Sequence, residues 1–273
     1  MPSPKTDSPS GPRLKDWFSL GRSAAVLFIL LFRATAIAEE PGLTRQREEG
    51  ARLASELCSR KPAENLTNSG VLRLRDARGR RRELPVSIVT LVDAQRWQVR
   101  YETRPGTNGT PESLTVSFST NRPPSYELAR VSAGAAIAPP PSQVDPDRTS
   151  ESFAGTDFWY CDLGLEFLHW PDQRLVKEEL SNGRLCWALD SYNPNPGTNG
   201  YASVRSWIDA EFHALLRAEA YDRQRRKVKE FSTGSFRQIT TRNGQEVWML
   251  KDIRIRDEFR DTRTELQYDL PGE

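Results

Sequence analysis

The two histidines, His169 and His213, are the first residues to test for chemistry, because the chain contains no others. A Ser-His-Asp or Cys-His site needs a histidine that is oriented by a carboxylate and lies beside a nucleophile. His169 falls within a run of aromatic residues, and His213 separates two predicted strands. The sequence has no nucleophile elbow, no phosphate-binding loop and no HExxH zinc motif. The pattern therefore favours no enzyme class.

Asp162 and Glu166 are four residues apart, which would place both carboxylates on one face of a helix. Paired carboxylates carry out glycoside hydrolysis. A chain in which 28% of the residues are charged contains such a spacing by chance, however. The pair is weak evidence for acid–base catalysis, and the sequence predicts no catalytic residue.

The three cysteines, Cys58, Cys161 and Cys186, are too widely spaced for a structural zinc site, so neither a metal nor a cofactor is predicted. An exported chain with three cysteines can form one disulfide and keep one free thiol. Cys161 and Cys186 are the candidate disulfide, because both fall in the central block of the chain. The alternative is that each cysteine is a small buried hydrophobic residue.

The central block, residues 153–222, is the part around which the other elements are arranged. Its beginning is rich in aromatic and leucine side chains: Phe158, Trp159, Tyr160, Leu163, Leu165, Phe167, Leu168 and Trp170. Strand-like runs follow on both sides of a polar turn at 193–200. An aromatic stretch that leads into an antiparallel meander is typical of a sheet that encloses an apolar space.

Regular elements flank this block on both sides. A helix is predicted over 43–61, because apolar residues recur there at the helical period and Pro62 ends the run. From 71 to 131 the period changes to two, as in antiparallel strands with one dry and one wet face. Four more strands are predicted at 228–231, 247–251, 252–256 and 264–270, the first pair joined by a turn at 243–244. The total is about eleven strands, mainly antiparallel, with two helical pieces.

Five short motifs occur in an order that resembles the outer-membrane lipoprotein-sorting protein family. They are GTDF-x-Y-x-DL at 155–163, KEE-x-x-NG-x-x-C-x-x-L at 177–189, Y-x-x-V-x-x-WID at 201–209, L-x-AE-x-YD at 216–222 and W-x-x-KDIRIRD at 248–257. The resemblance implies an α+β fold, mainly antiparallel β: an incomplete barrel that is closed by helices and takes acyl chains in its apolar interior. It also implies that the helix at 43–61 lies across the open mouth of this half-barrel.

The segment 132–152 interrupts the strands with three consecutive prolines and many small residues. It could be a linker, but the strands on both sides belong to the same resemblance. A loop of this length inside one domain is unusual unless it has a role. We therefore predict a mobile excursion within a single domain, 39–273.

Residues 1–38 have the features of a signal peptide: a basic region, an apolar run at 24–32 and the sequence Ala36-Ile37-Ala38. Cleavage after Ala38 and export to the periplasm are predicted. The alternative is an uncleaved anchor, although the apolar run is shorter than the roughly 20 residues that span a bilayer. The remaining chain has 34 Lys and Arg against 35 Asp and Glu, so no electrostatic attraction to nucleic acid is expected.

Two functions of different classes agree with these observations. The first is a periplasmic carrier or chaperone for lipoprotein acyl chains or another lipid, with an inner-membrane transporter or an outer-membrane acceptor as protein partners. The second is a sensor domain of the same fold that signals the lipoprotein or lipid status of the envelope by protein contact. A second carboxy-terminal domain would separate them, and the end of the sequence just after the last predicted strand favours the carrier.

The expected ligand site is an apolar cavity between the first strands and the aromatic run. The first strands would contribute Trp97, Val99, Tyr101, Leu114, Val116 and Phe118, and the aromatic run Phe158, Trp159, Leu163, Phe167 and Leu168. The alternative is that these side chains fill the interior, since protein cores normally pack as densely as organic crystals.

Overall fold

A computed structural model of the chain describes residues 41–104, 110–120, 122–131, 140–240 and 246–269. All of them belong to one compact unit, Glu39–Glu273. The predicted signal peptide and its cleavage after Ala38 lie outside the described residues, as do the predicted turns at 108–109 and 243–244. Among the helices that are described, none has the length and apolar character needed to cross a membrane.

Helix α1 spans Pro41–Ser59, close to the range predicted from its apolar period. Its buried side includes Leu53 and Ala54, and it packs against strand β7, Asp172–Ser181. The approach is closest at Gly50, where an added Cβ would lie 2.7 Å from the backbone nitrogen of Arg174. The helix therefore rests directly on the strand backbone at this position.

Gly50→Ala is expected to destabilise the chain by about 1–3 kcal/mol, because the new methyl group would force α1 away from the backbone of β7. Gly42 in the same helix is the matched control, since nothing lies within 4 Å of a Cβ added there. Alanine is a better helix former than glycine, so Gly42→Ala should leave stability unchanged or raise it. Urea unfolding measures both variants, and an equal effect of the two would contradict the direct contact.

In the described part of the chain fifteen strands follow α1, more than the approximately eleven predicted. They are β1 Leu66–Arg75, β2 Arg81–Val92, β3 Arg96–Thr103, β4 Glu112–Ser119, β5 Arg122–Arg130, β6 Ser142–Gln143, β7 Asp172–Ser181, β8 Arg184–Tyr192, β9 Ser203–Asp209, β10 Leu215–Tyr221, β11 Lys227–Thr233, β12 Phe236–Thr240, β13 Glu246–Leu250, β14 Asp252–Asp257 and β15 Thr262–Tyr268. Two of the additional strands, β6 and β12, lie in stretches without a clear two-residue period.

Thirteen of the strands form one antiparallel sheet in the order β6-β5-β4-β3-β2-β1-β15-β14-β11-β10-β9-β8-β7. Strands β12 and β13 form a separate hairpin between β11 and β14. Within the described ranges the edge strands β6 and β7 do not pair with each other, so the sheet stays open rather than closing into a barrel. The predicted class, mainly antiparallel β with few helices, is confirmed.

The predicted excursion at 132–152 is structured over its described part. Strand β6 pairs with β5, and Pro146–Arg148 forms a turn of 3-10 helix in which the Asp147 N–H donates to the Asp145 carboxylate. Thr149 is buried beyond it. The described residues therefore attach the end of the segment to the sheet edge, whereas residues 132–139 lie outside the described ranges, so the mobility expected of the segment stays a prediction.

The apolar side chains form two main clusters. The first joins β1–β5 and β14–β15 through residues such as Leu72, Val86, Leu114 and Ile255. The second joins α1 and β8–β11 through residues such as Ala54, Leu189 and Val204, and Phe231 packs against both. Residues 153–170, here called the plug segment, contribute side chains to both clusters and thus connect them.

Candidate functional site

The plug segment contains only two short helical turns, α2 at Tyr160–Leu163 and a 3-10 turn at Glu166–His169. Ala154, Gly155 and Leu165 adopt positive φ angles, which let the chain turn sharply where no helix or strand continues. Backbone hydrogen bonds within the segment, such as that from the Phe153 N–H to the Phe158 carbonyl oxygen at 2.8 Å, fix its local shape. Side-chain contacts attach it to the sheet.

The polar residues of the GTDF-x-Y-x-DL motif attach the plug segment to three parts of the sheet. The Asp157 carboxylate accepts hydrogen bonds from the hydroxyls of Thr262 and Thr264 on β15. The Tyr160 hydroxyl accepts one from Arg130 on β5 at 2.7 Å. Another polar residue of the motif, Asp162, contacts Lys229 on β11. The motif thus attaches the plug segment to β15, β5 and β11.

The third attachment is a buried ion pair between Asp162 and Lys229, whose side chains are 8% and 2% exposed. The Lys229 Nζ donates to Asp162 Oδ2 at 3.1 Å and to the Asp157 carbonyl oxygen at 2.6 Å, and it lies 3.6 Å from the centroid of the Trp159 ring. Asp162 also accepts from the Tyr201 hydroxyl at 2.8 Å. Burial lowers the pKa of Lys229, and the negative charge of Asp162 opposes that shift.

A half-enclosed cavity of about 270 Å³ lies where the two apolar clusters meet, beside this ion pair. The residues that line it are Tyr101, Phe158, Asp162, Leu163, Leu165, Ala214, Leu215, Phe231, Thr233, Phe236, Leu250, Ile253, Leu266 and Tyr268. The lining is mostly apolar, and Asp162 is the one charged residue that the described ranges contribute to it. Phe236 and Leu250 come from the β12–β13 hairpin, which covers part of the cavity.

Three of the eleven side chains predicted for the cavity line it: Tyr101, Phe158 and Leu163. Val99, Leu114, Val116 and Phe118 instead pack within the first cluster, where Leu114 and Val116 have no exposed surface. Trp159, Phe167 and Leu168 belong to the second cluster. Trp97 stacks on Phe118, with ring centroids 5.2 Å apart. The interior between β3, β4 and the plug segment is therefore filled, and the empty space lies further along the sheet.

Sequence analysis missed the cavity residues that the second half of the chain supplies, notably Leu215, Phe231, Ile253 and Leu266. Their strands were predicted, and alternation along β14 and β15 would have placed Ile253 and Leu266 among the candidate dry-face positions. What could not be seen was which stretch of that face the plug segment leaves uncovered.

The three cysteines are free thiols, so the predicted Cys161–Cys186 disulfide is not formed. Cys161 packs in the second cluster together with Leu189 of β8. Cys186 lies three residues before Leu189 on the same strand, and residues an odd number apart point to opposite faces of a sheet. It packs instead with Trp207 and Leu216. The two thiols are separated by the sheet, and burial raises the pKa of both.

The candidate catalytic groups have structural partners. Asp162 binds Lys229, whereas Glu166 accepts a hydrogen bond from the Tyr126 hydroxyl at 3.2 Å, and burial raises the Glu166 pKa. His213 Nδ1 lies 2.5 Å from Glu56 of α1.

His169 lines a groove with Cys58, but burial raises the pKa of that thiol to about 11, which disfavours a thiolate. Over the described ranges, no group of three or more His, Cys, Asp and Glu side chains could hold a metal ion.

Comparison with known proteins agrees with this architecture. A family model described as "Uncharacterized protein" matches residues 141–270, which include the plug segment and β6–β15. No curated protein shows significant sequence similarity to the chain.

Three solved structures resemble this one over most of their length. A putative outer membrane lipoprotein-sorting protein domain from Vibrio parahaemolyticus is 17% identical with a TM-score of 0.66, over 83% of this chain and 94% of that one. A DUF1329 family protein from Desulfovibrio piger is 16% identical with a TM-score of 0.65, over 82% and 91%. A LolA superfamily protein from Nitrosomonas europaea is 14% identical with a TM-score of 0.55, over 83% and 95%.

Identities this low establish the fold and leave the ligand to be argued from the site. The open antiparallel sheet of this chain agrees with these structures in fold. The chain has the fold of the outer membrane lipoprotein-sorting proteins, as its motifs predict.

Proposed function

We propose that the chain is a periplasmic carrier or chaperone that holds acyl chains in the cavity between the plug segment and strands β10, β11, β14 and β15. The observation that supports this most directly is the cavity itself, about 270 Å³ with a mostly apolar lining. Protein interiors rarely keep voids of this size empty. Binding of an apolar ligand would bury both the apolar surface of the cavity lining and that of the ligand, and so remove both from water.

The energetics favour a ligand with a hydrocarbon chain. Each methylene group that leaves water contributes about 0.8 kcal/mol, so no polar motif is needed for useful affinity. A cavity that is half-enclosed also allows loading and release, which a carrier requires. The fold supports the same proposal, because one structure that shares it is described as a lipoprotein-sorting domain.

The proposed function requires that the chain is exported to the periplasm. The features of residues 1–38 support a signal peptide cleaved after Ala38, and a periplasmic carrier would receive its ligand from an inner-membrane transporter and pass it to an outer-membrane acceptor. Amino-terminal sequencing of the protein from the periplasmic fraction tests this step; a chain that begins at Met1 in the cytoplasm would contradict it.

Mass spectrometry of lipids extracted from the natively purified protein tests the ligand. We expect an acyl-containing lipid or lipoprotein fragment in a defined molar ratio to the chain. The control is the Leu163→Trp variant, whose larger side chain would occupy the cavity. Equal lipid recovery from both proteins would show that lipid adheres elsewhere, and the proposal would fail.

A further inference from the structure

Two tyrosines from distant strands bring polar groups to the apolar cavity. Tyr101 lies on β3 and Tyr268 at the end of β15, and both line the cavity. Neither hydroxyl has a hydrogen-bond partner among the residues that the structure describes. Two buried tyrosines elsewhere in the apolar clusters do have partners: Tyr126 donates to Glu166, and Tyr201 donates to Asp162.

Both of these groups are uncharged at neutral pH, since an ordinary tyrosine already has a pKa of about 10. Burial raises the pKa of Tyr268 to about 12 and that of Tyr101 further, and the nearby Tyr268 contributes to the second shift. At neutral pH each side chain is therefore a phenol with one O–H to donate. Both residues are partly buried, and their hydroxyls face the half-enclosed cavity. A ligand that displaces solvent from them without supplying an acceptor leaves the donors unpaired, so these hydroxyls favour a ligand that brings an acceptor with it.

The charges around the cavity indicate which acceptor fits. Asp162 carries the charge closest to the space, and its two oxygens are occupied by Tyr201, Lys229 and the Trp159 backbone N–H. Lys229 is held by Asp162 and by the Asp157 carbonyl oxygen, so its charge is already neutralised. An anionic head group would enter next to a carboxylate and find no free cation among the described lining residues, which makes its desolvation expensive.

We propose that the cavity selects acyl ligands with an uncharged carbonyl group, an ester or an amide, whose oxygen accepts hydrogen bonds from Tyr101 and Tyr268. A carbonyl oxygen has two lone pairs and can accept from both hydroxyls. The ligand class is then a neutral acyl ester or amide rather than a free fatty acid. This inference rests on the proposed function, because it names the polar part of the ligand that the apolar cavity holds.

The two hydroxyls could instead hydrogen-bond to solvent and play no part in ligand selection. A matched set of probes distinguishes this alternative from hydrogen bonding to a ligand carbonyl. We suggest measuring the fluorescence of three pyrene-labelled compounds with the same chain: dodecyl-pyrene, pyrene-dodecanoic acid and the methyl ester of that acid. The wild-type chain is compared with Tyr101→Phe, Tyr268→Phe and the double variant at pH 8. Phenylalanine keeps the ring and its packing, so the variants remove only the hydroxyls.

The double variant is expected to bind the ester about tenfold more weakly than the wild-type chain does, because two modest hydrogen bonds are lost. Its affinity for the hydrocarbon should equal that of the wild-type chain. The wild-type chain should bind the ester more tightly than the ionised acid. An equal effect of the double variant on ester and hydrocarbon, or no effect on either, would overturn the inference and leave the carrier proposal intact. Tighter binding of the acid than of the ester would also overturn it. If the wild-type chain binds none of the three probes, the carrier proposal itself fails.

Discussion

Asp162→Ala is expected to lower the free energy of unfolding by about 3–5 kcal/mol, the largest effect that we predict for a single substitution. The variant removes the partner of Lys229, which is 2% exposed and cannot reach water without moving the plug segment. It also removes the acceptor of the Tyr201 hydroxyl and of the Trp159 backbone N–H. A buried ammonium without its carboxylate and two orphaned donors together account for the size of the loss.

A double variant distinguishes the uncompensated charge from simple loss of packing. Asp162→Ala combined with Lys229→Met replaces the ion pair by apolar groups, and buried pairs replaced in this way often cost little. We therefore expect the double variant to be more stable than Asp162→Ala alone, although the orphaned Tyr201 hydroxyl remains. Urea unfolding and a thermodynamic cycle over the four proteins provide the measurement. Strict additivity of the two single effects would mean that the pair does not act as a unit.

Leu163→Trp and Val116→Trp are expected to have opposite consequences, because one residue borders empty space and the other does not. Leu163 lines the cavity, so the larger indole should fill it and weaken the binding of N-phenyl-1-naphthylamine, an uncharged apolar fluorophore, at least about tenfold. Val116 has no exposed surface and lies between Val99 and Tyr126 on the neighbouring strands. The same enlargement there should cost about 1–3 kcal/mol of stability by overpacking.

The two variants act as controls for each other in one pair of assays. Fluorophore titration reports the cavity, and urea unfolding reports the packing. Leu163→Trp should unfold close to the wild-type midpoint, since the added volume occupies existing space. Strong destabilisation by Leu163→Trp, or a stable Val116→Trp variant with weakened binding, would show that the cavity lies where the sequence first suggested, against β3 and β4.

The local elements of this protein follow from short-range patterns. Helix α1 was predicted because its apolar residues recur at the helical period and Pro62 cannot continue the hydrogen bonding. Strands β1–β4 were predicted because Leu72, Val86, Val99 and Val116 alternate with polar neighbours, and all four lie in or against the first cluster. The order of the five motifs then indicated the fold, since each short motif carries little information alone.

The Cys161–Cys186 prediction failed because proximity in sequence does not report the face of a sheet. Both cysteines fall in the central block, yet Cys186 points away from the cluster that contains Cys161. The strand count failed for a related reason. Strand β6 has two residues and is held by pairing with β5, so its own sequence carries no period that could reveal it.

The sequence by itself determined the class of the fold, the run of the main strands and the apolar segment that crosses them, because these depend on periodicity within about ten residues. Only the tertiary structure decided where the interior is filled and where it is empty. That depends on Asp157, Tyr160 and Asp162, which attach the plug segment to β15, β5 and β11. Their partners are 30 to 107 residues away in the chain, and no local pattern specifies them. These long-range contacts fix where the plug segment lies. It therefore covers Val116 and leaves Phe231 and Leu266 beside open space.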